Sequence, residues 1–152
     1  ILMRGAWEAL TSWRGRGRGR GRENKATSSG RLASARALAK SLNDTSRCTL
    51  LSFYSPTCRL CHGLGPKVAS ACASEANWLR LVKMNVDDEA WVPEVSYYGI
   101  SYVPCLVLLD RRNRARYKSA EPKTGQVVME SLGDMLRDGR RKFGGRRKDA
   151  VA

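Results

Sequence analysis

The chain has 152 residues, enough for one ordinary domain with tails, and it carries a formal net charge of +14 at pH 7. The charge is unevenly placed: residues 48–139 carry +1, the segment before them +8 and the segment after them +5. No apolar stretch reaches the roughly 18–20 residues that cross a bilayer. The five cysteines, an odd number without regular spacing, argue against a secreted disulfide scaffold. The composition therefore indicates a nearly neutral domain between two basic arms that suit acidic partners.

The first 30 residues are rich in Arg, Gly and Ser, and Arg alternates with Gly without interruption from Arg14 to Arg22. Glycine at every second position disfavours a stable helix and a packed strand, so we predict a segment that is disordered in isolation. Three interpretations of it stay open: an arm that contacts RNA, the remains of an organelle transit peptide, or a low-complexity tail without function.

From Gly30 onward the pattern is that of a folded α/β domain. Apolar residues at helical spacing predict an amphipathic helix over Arg31–Leu42, and the apolar run Cys48–Tyr54 predicts a buried strand. A C-x-x-C sequence follows that strand, and a helix is predicted over Cys61–Glu75. The two cysteines therefore lie where a strand passes into a helix.

The remaining elements alternate in type along the chain. A second strand is predicted over Leu79–Val86, and Asp87 and Asp88 can cap a short helix to about Tyr98, with Pro93 in its first turn. Three more elements follow: a strand over Pro104–Asp110, a short edge strand over Ala115–Lys118, and a helix that begins at Thr124 and ends at Gly139. This order predicts an α/β sandwich, with a central mixed sheet flanked by helices.

The pair Cys58 and Cys61 is the strongest chemical signal in the sequence. A helix that begins at C-x-x-C places the first sulfur beside free backbone N–H groups and the positive end of the helix dipole, which favour the reactive thiolate. Arg59 adds positive charge beside Cys58. In this hypothesis Cys58 attacks a disulfide and Cys61 resolves the mixed disulfide, without a metal or organic cofactor. A single C-x-x-C beside a βαβ pattern also indicates a reducing compartment.

Four further features accompany the dithiol. Phe53 lies in the preceding strand, and Pro66 follows Cys61 by five residues. Two longer motifs come later in the chain: Lys83-Met84-Asn85-Val86-Asp87 and Tyr98-Gly99-Ile100-Ser101-Tyr102-Val103-Pro104. With these features the segment from Gly30 to Arg137 resembles the thioredoxin family, which has Lys-x-Asn-x-Asp and Tyr-Gly-Ile-x-x-(Ile/Val)-Pro at these places. A lone C-x-x-C is a weak signal, whereas the combination is strong. The resemblance implies a thioredoxin-like α/β fold.

The resemblance also implies roles outside the dithiol. Pro104 would be a cis proline that faces the pair, and Val103 would offer its backbone to an extended substrate peptide. Lys83 would lie near the pair and help proton transfer. Cys105 stands where the family usually has Thr, so its sulfur would lie close to the pair. It would then be a third redox thiol, or, in the alternative interpretation, a small apolar residue of a core strand.

The chain departs from the family pattern around the dithiol. Thr57 replaces the usual Trp, and Arg59-Leu60 replaces Gly-Pro. Ser52 stands where the family has a buried acid on the preceding strand. Because that acid helps to move the proton of the second cysteine in the family, its replacement argues against fast reductase turnover.

Two other interpretations use the same cysteines. Cys61-His62 completes C-x-x-C-H, the attachment sequence of c-type haem, with His62 as the proximal ligand and a methionine opposite. The pair could also bind zinc together with Cys105 and His62. Haem attachment does not require the accompanying proline and lysine motifs, and no second C-x-x-C is present. We therefore expect no metal site.

The predicted function is thiol–disulfide exchange with protein substrates, with electrons from another dithiol protein and a role in cell redox homeostasis. The alternative is a redox-inactive or weakly active thioredoxin-like subunit of an organelle or ribonucleoprotein assembly, docked through residues 1–30 and 140–152, which would contact RNA. We assign the domain to residues 31–138 and a basic tail to 139–152. The Arg-rich start favours a plastid or a mitochondrion, with the cytoplasm as the alternative.

Overall fold

Four strands form one mixed sheet in the computed structural model, which describes residues 35–145. In chain order the strands are β1 (Cys48–Tyr54), β2 (Leu79–Asn85), β3 (Cys105–Leu109) and β4 (Ala115–Lys118). Their order in the sheet is β2-β1-β3-β4, with β1 parallel to β2 and antiparallel to β3, and with β4 antiparallel to β3. The prediction of a mixed sheet is confirmed, and the predicted bounds of the first and last strands coincide with the observed ones.

Helices cover both faces of the sheet. In chain order they are α1 (described over residues 35–43), α2 (Arg59–Ala73), a 3₁₀ turn (Glu89–Trp91), α3 (Val92–Tyr97) and α4 (Gly125–Phe143). The predicted start of α1 at Arg31 lies outside the described residues. The single short helix predicted before Tyr98 is divided into a 3₁₀ turn capped by Asp88 and the helix α3, with Pro93 in the first turn of α3 as expected. Within residues 35–145, no helix combines the length and apolar character that a membrane span requires.

Successive residues of the inner strands contribute to two separate core clusters. On one face Leu50 and Leu106 pack against α2 and α4, and on the other face Leu51 and Phe53 pack against α1 and the segment around Trp91. Both clusters are closed to solvent, with all four of these sheet side chains fully buried. Burial on both faces explains why β3 is a continuous apolar run rather than an alternating one.

The predicted end of α4 at Gly139 is wrong. The helix continues through Gly139 to Phe143, into the range assigned to the C-terminal tail. Gly139 is buried, and a Cβ atom there would lie 2.8 Å from the Trp78 ring and 3.0 Å from a Leu108 methyl. Its glycine therefore permits the close approach of α4 to the core instead of ending the helix. The segments 1–34 and 146–152 lie outside the described residues, so the arms and the RNA contact predicted there remain predictions.

A Gly139→Ala substitution should destabilise the fold, because the added methyl has no room beside the Trp78 ring. We expect a loss of about 1–3 kcal/mol in the free energy of unfolding, measured by urea denaturation. Gly133→Ala is the matched control in the same helix, since the nearest atom to its Cβ would be 3.7 Å away on the flexible Arg137 side chain. That control should be neutral or stabilising by up to about 1 kcal/mol. Equal stability of the two variants would contradict the close packing at Gly139.

Candidate active site

Cys58 is the residue that begins α2. Its backbone is extended, and its sulfur accepts a hydrogen bond from the backbone N–H of Cys61, with 3.2 Å between the N and Sγ atoms. The carbonyl of Cys58 accepts the next N–H, from His62, at 3.2 Å. The thiol thus occupies the place that Ser, Thr or Asp side chains take at most helix starts. Because Cys58 caps α2, the helix begins at Arg59, two residues before the predicted start.

The loop between β1 and α2 is attached to the neighbouring strand. Ser55 is buried, and its hydroxyl donates to Oδ2 of Asp87 at 2.6 Å and lies 2.9 Å from the hydroxyl oxygen of Thr57. The Ser55 carbonyl accepts the backbone N–H of Cys58 at 3.1 Å. Asp87 follows β2, so these bonds fix the dithiol loop to the end of the adjacent strand. The sequence did not indicate this contact, because the two partners are separated by 32 positions.

The two cysteines differ in exposure. Cys58 is half-buried, whereas the side chain of Cys61 is only 7% exposed. Burial, together with the neighbouring Cys58 thiol, raises the pKa of Cys61 to about 11. All five cysteines lie within the described range and are free thiols in this structure. Cys58 is therefore the more accessible of the two thiols, and Cys61 is a buried thiol that stays protonated near neutral pH.

A cleft of about 500 Å³ adjoins Cys61. Strand pairing forms part of its wall, since Ser52 of β1 lies opposite Lys83 of β2 and opposite Leu106 of β3. Cys61, Lys83 and Pro104 all line the cleft. Its complete lining is Ser52, Tyr54, Ser55, Pro56, Cys61, His62, Leu64, Gly65, Pro66, Val68, Lys83, Pro104 and Leu106. None of these lining residues is Asp or Glu, in agreement with the serine found at position 52.

The peptide bond between Val103 and Pro104 is cis, as the resemblance implies. Pro104 is buried and lines the cleft beside Cys61, while Val103 is half-buried and packs against the cluster around Phe53. The role of Val103 in substrate contact remains a prediction.

The other predicted supporting residues lie in different environments. Arg59 is exposed, and Leu60 is half-buried against the core cluster between α2 and α4. Cys105 is fully buried in the cluster on the opposite face of the sheet, where its sulfur lies 3.9 Å from the Ser119 hydroxyl oxygen. Burial raises the pKa of the Cys105 thiol. The expectation that this sulfur joins the pair is therefore not met, because alternation along β3 turns Cys105 away from the face that carries α2.

His62 is held by a contact that the sequence did not reveal. Its Nε2 atom lies 2.6 Å from the carbonyl oxygen of Pro56, which connects the first turn of α2 to the loop before Cys58. Among residues 35–145, no three or more His, Cys, Asp or Glu side chains are grouped in a way that holds a metal ion. The suggested zinc set of the dithiol with His62 and Cys105 is not assembled, since Cys105 lies on the other face of the sheet.

The family model described as Thioredoxin matches residues 32–132. The chain belongs to the thioredoxin family. The four-stranded mixed sheet, the dithiol at a helix start and the cis proline beside it agree with that assignment.

Curated relatives include proteins named for disulfide exchange. The thiol:disulfide interchange protein TxlA homolog of Synechocystis sp. is 30% identical over 91 residues, which cover 60% of this chain and 44% of that protein. The chloroplastic thioredoxin-like protein HCF164 of Arabidopsis thaliana is 29% identical over 84 residues, which cover 55% of this chain and 32% of that protein. The chain thus spans less than half the length of these relatives.

Solved structures of thioredoxins have the same fold. Thioredoxin f from spinach chloroplast (long form) superposes with a TM-score of 0.58 at 15% sequence identity, covering 70% of this chain and 82% of that one. Fasciola hepatica thioredoxin gives a TM-score of 0.53 at 18% identity, covering 66% of this chain and 92% of that one. At these identities the likeness shows the thioredoxin-like α/β fold, which confirms the predicted fold class.

Alkylation should separate the two cysteines of the reduced protein. We expect iodoacetamide at pH 7 to modify Cys58 first, because Cys61 is buried and the raised pKa, about 11, keeps it protonated. The Cys61 rate in a Cys58→Ser variant should rise about tenfold for each pH unit between pH 7 and 9, since only the thiolate reacts. Mass spectrometry of proteolytic peptides measures the extent of alkylation at each of the two cysteines over time. Faster labelling of Cys61 than of Cys58 in the wild-type protein would contradict the assignment of the two roles.

Proposed function

We propose that this protein exchanges disulfides with protein substrates through Cys58 and Cys61, acting as a thioredoxin-like reductase. The observation that carries the proposal is the position of Cys58, a half-buried thiol at the start of α2 whose sulfur accepts the Cys61 N–H. An N–H donor and the positive end of the helix dipole stabilise a thiolate at that place, and a thiolate is the attacking form in exchange.

The proposed reaction has two steps. The Cys58 thiolate attacks one sulfur of a substrate disulfide, forms a mixed disulfide and releases the other substrate sulfur as a thiolate. Cys61 then loses its proton and attacks the Cys58 sulfur, which forms the Cys58–Cys61 disulfide and releases the second substrate thiolate. The substrate gains two electrons and the dithiol loses two. Another dithiol protein returns two electrons to the Cys58–Cys61 pair by the same exchange in reverse.

The relatives support this choice of chemistry and a plastid location. TxlA of cyanobacteria is named for thiol:disulfide interchange, and the HCF164 proteins of Arabidopsis and rice are described as chloroplastic. We therefore propose a plastid protein with a role in redox homeostasis, and nothing in these relatives supports a mitochondrial one. The alternative of a redox-inactive subunit docked by basic arms lacks comparable support, since its arms lie largely outside the described residues.

Cysteine variants test the proposal in a protein-disulfide reduction assay supplied with a small dithiol. Cys58→Ser should abolish turnover, because no attacking sulfur remains. Cys61→Ser should form a mixed disulfide with the substrate that accumulates, since the resolving sulfur is missing. Cys72→Ala is the matched control, a buried cysteine of the same helix outside the cleft, and it should retain turnover.

Non-reducing electrophoresis and mass spectrometry identify the trapped species. Undiminished turnover of the Cys58→Ser variant would refute the exchange proposal, as would the absence of any turnover in the correctly folded wild-type protein. Loss of turnover in all three variants alike would show that the readout follows stability rather than the dithiol.

A further inference from the structure

Cys61 must give its proton to an acceptor when it resolves the mixed disulfide. The described site offers no carboxylate beside Cys61 for this purpose. Cys61 is a buried thiol whose pKa is raised to about 11, so it is protonated near neutral pH and must lose its proton before it attacks. None of the residues that line its cleft is Asp or Glu. Asp87 is the acidic residue attached to the dithiol loop, but it accepts the Ser55 hydroxyl and does not line the cleft.

Three titratable side chains other than Cys61 line the cleft, namely Tyr54, Lys83 and His62. A phenol and an ammonium group, as classes, hold their protons until pH values near 10. An imidazole, by contrast, exchanges a proton between pH 5 and 8. His62 is also the only histidine of the chain. Of the side chains that line the cleft, His62 is therefore the candidate base, because a neutral imidazole carries a nitrogen lone pair that can accept a proton.

The contact of His62 with Pro56 determines which ring nitrogen is free. Its Nε2 atom lies 2.6 Å from the Pro56 carbonyl oxygen, and a carbonyl only accepts hydrogen bonds. Nε2 therefore carries the hydrogen, and the neutral ring has its lone pair on Nδ1. The same contact restrains the ring at the first turn of α2, so the free nitrogen is held in one orientation rather than turning in solvent.

We propose that His62 accepts the proton of Cys61 when Cys61 resolves the mixed disulfide at Cys58. This inference rests on the proposed exchange function and adds a residue to it. Both residues line the same cleft, and its volume of about 500 Å³ admits water molecules, so the proton passes from Sγ to Nδ1 through water. His62 is exposed, so the imidazolium then returns the proton to the solvent or to the departing substrate thiolate.

The step balances in atoms and electrons. The S–H bond of Cys61 breaks as Nδ1 gains the proton, and the Cys61 sulfur forms its bond to the Cys58 sulfur. The bond between Cys58 and the substrate sulfur breaks, and its electron pair leaves with the substrate thiolate. The base is regenerated when the imidazolium loses its proton, so His62 is neither oxidised nor reduced.

A two-phase titration with the chromogenic aromatic disulfide dithiobis(nitrobenzoate) tests the proposal on the full chain. Attack by Cys58 releases the first coloured thiolate, and resolution by Cys61 releases the second, so the two steps have separate rates. In the wild-type protein the second rate therefore reports the step in which Cys61 loses its proton and attacks the Cys58 sulfur.

The informative variant is His62→Gln, because its amide can still donate to the Pro56 carbonyl but cannot take a proton near neutrality. We expect the first rate to be unchanged and the second to fall at least about tenfold at pH 7.5. His62→Ala should show the same defect, and added imidazole should restore its second rate. Lys67→Gln is the matched control, an exposed basic residue of the same helix outside the cleft.

Three results would overturn the inference. Equal second rates in His62→Gln and the wild-type protein would refute the role of His62 while leaving the exchange function intact. Equal slowing of both phases, without rescue by imidazole, would show that His62 only supports the loop. Release of a single coloured thiolate by the wild-type protein would refute the exchange function itself, and the inference with it.

Discussion

The hydrogen bond from the Cys61 N–H to the Cys58 sulfur is the interaction on which the site depends. It makes a thiol the first residue of a helix, a place where free N–H groups and the helix dipole meet a developing negative charge. The bonds that fix the preceding loop, from Ser55 to Asp87 and from Cys58 to the Ser55 carbonyl, hold that thiol against the ends of β1 and β2. The reactivity proposed for Cys58 is thus a consequence of where the helix begins.

The same helix start gives the two cysteines opposite environments. One turn of α2 carries the chain from the half-buried Cys58 to Cys61, which is 7% exposed, and this difference in solvation underlies the separate roles proposed for the two thiols. A buried thiol of that kind makes the second step of exchange depend on a neighbouring base. In this chain the cleft beside Cys61 presents two serine hydroxyls, a phenol, a lysine and an imidazole, so in the proposed function the identity of the base is a property of this sequence rather than of the fold.

Local patterns in the sequence predicted the parts of the structure that local chemistry determines. The apolar run of β1, the short strand β4 and the position of the dithiol at a helix start were predicted directly, whereas the cis peptide bond before Pro104 was implied by the resemblance to the thioredoxin family. Contacts between distant residues were not predictable in this way. The close approach of Gly139 to Trp78 and the bond from Ser55 to Asp87 join elements whose distance apart is set only by packing.

The expectation that Cys105 lies beside the dithiol was not met for a different reason. The pattern that places Cys105 on the other face of the sheet is present in the sequence itself. Side chains alternate between the faces of a strand, so Leu106 and Cys105 of β3 had to face opposite sides of the sheet. Leu106 lines the cleft beside Cys61, and Cys105 accordingly lies in the other core cluster. The site therefore contains two sulfurs, and the third cysteine near the motif belongs to the core.

The reduction potential of the Cys58–Cys61 pair tests the central claim most directly. The protein would be equilibrated in a series of thiol buffers of increasing redox potential, and its free thiols would be trapped by alkylation. Mass spectrometry would then measure the fraction of the protein that contains the intramolecular disulfide. The account predicts a two-electron transition within the range of about −270 to −120 mV that dithiol oxidoreductases cover. Failure of the pair to form a disulfide at any poise would contradict it and leave a thioredoxin-family domain without exchange chemistry.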